Sequence, residues 1–338
     1  PNEGHYYLLH MFVNNNKINS VDFSNIEYTA KSLIDSSYNA AVVSAEYNKA
    51  NFAFAFCNCV NLTATYNYPK NVINMASMYS NCYNLVYTPD IPSTCLNISN
   101  MYINCYNFNQ KVTLPNIGRI YGTFINCYSF NQPVEIPESV TDFESVFWDC
   151  TNFNQPITLP NNVTSIGRLF SGCTNFNQPI TIPNKVGYIY SLFCNCTNFN
   201  QPINIPKSAH SVTSLFEGCT NFNQPITISN SSISSFRDMF KGCTNFNSTF
   251  NIPVEEYNKG SVSSLDLSGL FDGCTNYNIP FIIPSCTNSI SNMFRGLKYY
   301  NYPVTLPNGL SYAYGLEGLF ENTGAYNHPF IVIMTIYI

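Results

Sequence analysis

Cysteine is the residue whose number and spacing could do chemistry in this chain. Fourteen occur in 338 residues, and ten fall on one ladder: Cys59, Cys82, Cys105, Cys127, Cys150, Cys173, Cys196, Cys219, Cys243 and Cys274. Such a set could form disulfides, coordinate a metal through thiolates, or lie buried as small apolar side chains. If the ladder marks stacked units about 5 Å apart, neighbouring cysteines come within disulfide range. In-register neighbours point their Cβ atoms the same way, however, so free buried thiols are expected. The pairs Cys57-Asn58-Cys59 and Cys194-Asn195-Cys196 lie six repeats apart. That is too far to share a zinc ion, and no metal or cofactor is expected.

The remaining reactive residues are sparse. His5, His10, His210 and His328 have no nucleophile or metal partner beside them in sequence. The P-loop, dinucleotide-binding, zincin and nucleophile-elbow motifs are absent. The densest charge lies in VEEYNKGSVSSLDLSGL, residues 254–270, with Glu255, Glu256, Lys259 and Asp266. Adjacent carboxylates can serve acid–base chemistry, but elsewhere the acids are scattered. This stretch therefore reads first as a solvated loop and second as a recognition loop. The chain does not read as an enzyme.

What positions these residues is a repeat. CTNFNQPITLP at Cys150–Pro160 returns with one change at Cys173–Pro183 and with two at Cys196–Pro206. The step of roughly 23 residues marks a solenoid, whose units bury their apolar faces only against their neighbours. Two further units place Leu297 and Thr323 at the ladder site. An aromatic stands three positions before it, from Phe56 to Phe320. Another apolar ring or leucine stands three after it, from Leu62 to Tyr326. These are expected to stack as two core columns. Asn, Asp or Gly immediately precedes every ladder cysteine, which predicts a left-handed backbone there ending a short helical or 3-10 turn, such as Gly167–Phe170. An asparagine column after the second aromatic, from Asn109 to Asn327, is expected to be buried and to bond backbone groups. Segments such as Ile180-Thr181-Ile182, bracketed by prolines, read as strands of about three residues in a parallel sheet.

At this point the sequence resembles a known family. SVTSLFEGCTNFNQPITI (Ser211–Ile228), IPESVTDFESVF (Ile136–Phe147) and SNMYINCYNFNQ (Ser99–Gln110) are similar to the BspA-type leucine-rich repeats of bacterial surface proteins. The similarity is greatest to the subtype in mycoplasma and firmicute surface lipoproteins whose units read MF and then FNQ. The chain departs from it in using Phe where Leu is usual and in placing Pro after FNQ. The resemblance implies a leucine-rich-repeat-like solenoid, about a dozen coils long, and adhesion to a host or neighbouring-cell protein.

Composition narrows the partners. Charged residues make up 10% of the chain, with a net charge of −5, and no basic cluster favours nucleic acid or an anionic membrane. No apolar run reaches the 18 or so residues that span a bilayer. A chain beginning at Pro1 leads us to expect a removed leader or a longer parent. Residues 1–50 are expected to form an N-terminal cap or small docking segment, with His5–Val13 strand-like and Leu33-Ile34 in a degenerate coil. Residues 51–330 form the solenoid, and Phe330–Ile338 ends it as an open apolar strand suited to homo-oligomer assembly.

The expected function is therefore an extracellular or cell-surface recognition solenoid for protein or glycan. Strand-midpoint residues Glu135, Thr158, Thr181, Asn204, Thr227, Asn251 and Thr305 would line its face, joined by Tyr188, Tyr190, Glu255 and Glu256. The alternative is a structural subunit of a fibre or a phage or virion appendage.

Overall fold

The computed structural model describes residues 11–23, 50–68, 71–307, 310 and 315–329. The chain divides into two compact units, Pro1–Val163 and Thr164–Ile338, each a repeat solenoid. The first holds β1 (Ser20–Asp22), β2 (Ala50–Asn51), β3 (Ala64–Tyr66) and β4 (Val72–Asn74). The second holds β5 (Ile226–Thr227), β6 (Phe250–Asn251), α1 (Val254–Asn258), β7 (Leu265–Asp266) and β8 (Thr287–Ser289). The strands pair in parallel as β1–β3, β2–β4, β5–β6 and β7–β8.

Most of the regular backbone lies elsewhere, in the eight residues before each ladder site. The amides of Phe52, Phe54, Phe56 and Asn58 donate to Asn74, Ala76, Met78 and Ser80 of the next coil at 2.8–3.0 Å, whereas those of Ala55, Cys57 and Cys59 donate three residues back within their own coil. The second unit repeats the scheme: Arg168, Phe170 and Gly172 donate forward to Tyr190, Leu192 and Cys194. This is a chain of hydrogen-bonded turns, not the short helix expected at Gly167–Phe170. A helix would use every amide inside the coil, whereas this geometry sends alternate amides to the neighbour. It needs left-handed residues twice per coil. The expected one precedes the ladder site (Asn58 φ 61°, Asn195 φ 60°), and a second stands four residues earlier (Phe54 φ 59°, Ser191 φ 50°).

The parallel ladder runs at the position eight before the cysteine. It joins Asn51, Asn74, Asn97 and Arg119 in the first unit, and Ser165, Tyr188, Ser211, Ser235, Asp266 and Ser289 in the second. The proline-bracketed segments 157–159, 180–182 and 203–205 were expected to be sheet strands but carry no ladder pairing. Pairing forms at Ile226–Phe250 and Thr227–Asn251, where Ser229 and Thr249 replace the brackets. Proline fixes the backbone and removes a donor, so its loss lets the neighbours pair.

Both aromatic columns are present, and they are buried through Phe294 and Tyr300. Rings three before the ladder stack at 5.5 Å for Phe56–Tyr79 and 5.8 Å for Phe193–Phe216, and those three after it at 6.1 Å for Phe199–Phe222. The columns also mesh within a coil, with Phe193–Phe199 at 4.0 Å. Full burial of such a side chain stabilises by about 1.5–3 kcal/mol.

All fourteen cysteines are free. Nine of the ten ladder thiols have a directional role shown in the structure: Cys82 Sγ, for example, donates to the Phe56 carbonyl oxygen at 3.1 Å, Cys150 to Phe124 at 2.9 Å and Cys219 to Phe193 at 2.9 Å. In these nine the acceptor is the aromatic residue of the preceding coil. Burial pushes these thiols well above their ordinary pKa.

Residues 11–23 take up the geometry of a coil. Phe12 stacks on Phe56 at 5.1 Å and accepts from the Cys59 thiol, and Asn14 is left-handed. Asn15 stands where later coils have cysteine, which hid the register. Residues 11–13 form turns, not the strand expected over His5–Val13. The degenerate coil around Leu33-Ile34 and the strand Phe330–Ile338 lie outside the described residues.

Candidate recognition surface

The expected face residues are all exposed. Glu135 and Thr158 in the first unit, and Thr181, Asn204, Thr227, Asn251 and Thr305 in the second, stand eight residues after the ladder site. Their flanks are mostly buried: Ile157 and Leu159 around Thr158, Ile203 and Ile205 around Asn204, Ile226 and Ile228 around Thr227. Alternation therefore holds even where strand pairing does not, because apolar residues on both sides point inward to the aromatic columns. Ile282 occupies the same position in its coil and is also exposed.

Tyr188 and Tyr190 are not in this row. They stand eight and six residues before Cys196, on the backbone ladder. Tyr188 is 66% exposed and its ring centroid lies 6.0 Å from that of His210. Tyr190 lies under the Arg168 guanidinium, 5.2 Å from ring centroid to Cζ.

The stretch 254–270 is more ordered than a solvated loop. Val254–Asn258 forms α1, anchored by buried Tyr257, whose hydroxyl donates to the Ile233 carbonyl at 2.9 Å. Asn258 Oδ1 accepts from the amide and hydroxyl of Ser285. Leu265–Leu270 are ladder positions of the following coil. Glu255 and Glu256 are exposed, and Glu256 pairs with Lys259 at 3.6 Å.

The asparagine column after the second aromatic bonds backbone as expected, but at the surface and not in the core. Asn131 Oδ1 accepts from the Asn154 amide at 2.9 Å and from Gln155 Nε2 at 3.1 Å, and Asn200 does the same for Asn223 and Gln224. Its members are exposed or half-buried. The asparagines before the ladder form a second chain of amides: Asn58 to Asn14, Asn81 to Asn58, Asn104 to Asn81 and Asn126 to Asn104, at 2.5–2.7 Å.

Two surface features escaped the sequence reading because each needs the coils aligned. Tyr83, Tyr106 and Tyr128 stack at 4.8 and 4.9 Å on the first unit. In the second unit the residues two before the ladder alternate in charge: Glu217, Lys241, Asp272, Arg295, Glu321. Lys241 pairs with Glu217 at 2.9 Å, and Arg295 grips Asp272 through both carboxylate oxygens. The acids there are not scattered but matched. Among the described residues, no group of three or more His, Cys, Asp or Glu could hold a metal ion, and no helix is long and apolar enough to cross a membrane.

The family described as "Mycoplasma protein of unknown function, DUF285" matches residues 48–137, 73–181, 119–227 and 206–306. Among solved structures, a leucine rich cell surface protein from Faecalibacterium prausnitzii is 19% identical over 91% of this chain and 86% of its own, with a TM-score of 0.53. A leucine-rich repeat protein from Bacteroides ovatus is 18% identical over 93% and 92%, with a TM-score of 0.49. Among curated proteins, none matches the chain. The first structural likeness shows a shared leucine-rich-repeat solenoid fold.

Proposed function

The chain belongs to the Mycoplasma DUF285 family, and from that premise we propose that it is a non-enzymatic, surface-exposed recognition solenoid that binds a protein or glycan outside the cell. One observation carries the reading. The aromatic, cysteine and asparagine positions of each coil are committed to stacking and hydrogen bonding. The strand-midpoint residue is left exposed between buried flanks, as at Asn204 and Thr227 in the second unit, and Thr181 is exposed beside buried Ile182. A rigid backbone carrying one free side chain per coil suits recognition, since little freedom is lost on binding. Thr158 offers the same arrangement in the first unit, where Glu135 is also exposed, and α1 within the second presents Glu255 and Glu256.

The comparisons indicate no enzyme family. A neighbour described as a cell surface protein supports an external location. Protease treatment of intact cells carrying the native protein tests this placement. The reading expects loss of the solenoid signal while a cytoplasmic marker survives; retention of both would contradict it.

A further inference from the structure

The backbone ladder of the second unit mostly carries small or turn-forming residues: Ser165, Ser211, Ser235, Asp266 and Ser289. Tyr188 breaks that pattern with the most exposed large aromatic ring among the described residues. The surrounding chain makes room for more rings. A Cβ on Gly167 would fall 2.1 Å from Tyr190 Cζ, so glycine there lets the Tyr190 ring lie flat, with the Arg168 guanidinium over it. The His210 ring rests over Gly187, 3.6 Å from where a Cβ would stand, and meets Tyr188 at 57°. Next to Tyr188 in register is Ser211, whose hydroxyl bonds Thr213 at 2.9 Å, and Thr213 reaches Ser235 at 3.3 Å.

The charge is local and one-sided. From Thr164 to Phe216 the chain has Arg168, Lys185 and Lys207 and no acidic residue, in a protein of net charge −5. Lys185 and Lys207 are exposed on the turns that lead to Tyr188 and His210. Glu217, the next acid along, is paired with Lys241.

We propose that this patch binds an acidic oligosaccharide, a sugar chain bearing carboxylates. The exposed face of Tyr188 takes the C–H face of a sugar ring. The Ser211–Thr213–Ser235 hydroxyls meet sugar hydroxyls, and Lys185 and Lys207 meet the carboxylates. An acidic peptide fits less well, because the rings are bordered by Ser165, Ser208, Ser211 and Thr213 and not by apolar pockets for its side chains. The assignment rests on the surface-recognition reading and names its ligand class.

The test is calorimetric titration of the full chain with hexagalacturonate and with hyaluronan hexasaccharide, each against its methyl ester, which removes the charge and keeps the rings. The expected result is binding of at least one acid form, with its ester and the Tyr188→Ala variant each at least tenfold weaker. Tyr188→Phe should stay within threefold of the wild type. Equal affinity for acid and ester overturns the acidic ligand, and binding indifferent to Tyr188→Ala overturns the patch. If neither sugar binds while a panel of extracellular proteins yields a partner, the ligand class is refuted and surface recognition stands. If nothing binds, both fall.

Discussion

The hydroxyl of Thr323 donates to the Phe294 carbonyl oxygen at 2.9 Å, the bond that the Cys274 thiol makes to Phe240 at the same length. Where the ladder residue is a donor it reaches the aromatic residue of the preceding coil, and cysteine and threonine do so alike, whereas Leu297 fills the site by packing alone. Cys219→Thr should keep the bond and cost under about 1 kcal/mol, whereas Cys219→Ala should cost about 1–2 kcal/mol through the lost bond and the small cavity. Urea unfolding of the two variants checks this; an alanine variant as stable as wild type would contradict it.

The thiols themselves set an alkaline limit. Burial holds Cys105, Cys127, Cys219 and Cys243 well above their ordinary 9.0. The folded chain keeps protons that the unfolded chain releases above that pH. The contribution is therefore complete below pH 9 and falls as pH rises towards the folded values. Tm should be level between pH 7 and about 8.5 and drop steeply by about pH 10.5. A level Tm across the whole range would show that the thiols are solvated.

Gly218 is left-handed at φ 75°, and a Cβ there would fall 2.3 Å from Asn195 Oδ1 of the preceding coil. Gly218→Ala should therefore cost more than the roughly 1 kcal/mol of backbone strain alone. Asn195→Gly in the same molecule should recover the steric part. Chemical denaturation of the single and double variants measures the coupling, and additive losses would refute it.

The alternating charges favour the observed register, with Lys241 on Glu217 and Arg295 on Asp272. A slip by one coil would set Glu217 against Asp272. Arg295→Ala leaves Asp272, whose side chain is 9% exposed, without its cation, and should cost about 1–2 kcal/mol after allowing for the half-exposed arginine. Adding Asp272→Asn should restore most of that. Thermal melts at low and high salt provide the measurement; a cost unchanged by the second substitution would place the effect in packing.

The columns were readable because each depends on residue type at a fixed offset: a ring at Phe193, a left-handed residue at Asn195, a buried thiol at Cys196. The second left-handed position was not, because its forward hydrogen bonds tolerate Phe54, Arg168 and Ser191 alike. Strand pairing was overestimated since alternation at Ile180-Thr181-Ile182 reports which side chains face inward, while Pro179 and Pro183 decide whether the backbone can pair. The Tyr188–His210 and Glu217–Lys241 relationships needed the register between coils, which turns a spacing of more than twenty residues into a contact.

The most direct test of surface recognition by the strand-midpoint row is binding of labelled protein to an array of extracellular proteins. Wild type would be compared with the triple variant Thr181→Arg/Asn204→Arg/Thr227→Arg, which changes three exposed midpoint residues and leaves both aromatic columns untouched. The account predicts a saturable partner for the wild type and at least a tenfold loss for the variant, with Tm unchanged within about 2 °C. A partner bound equally by both proteins, or no partner for either, would contradict it.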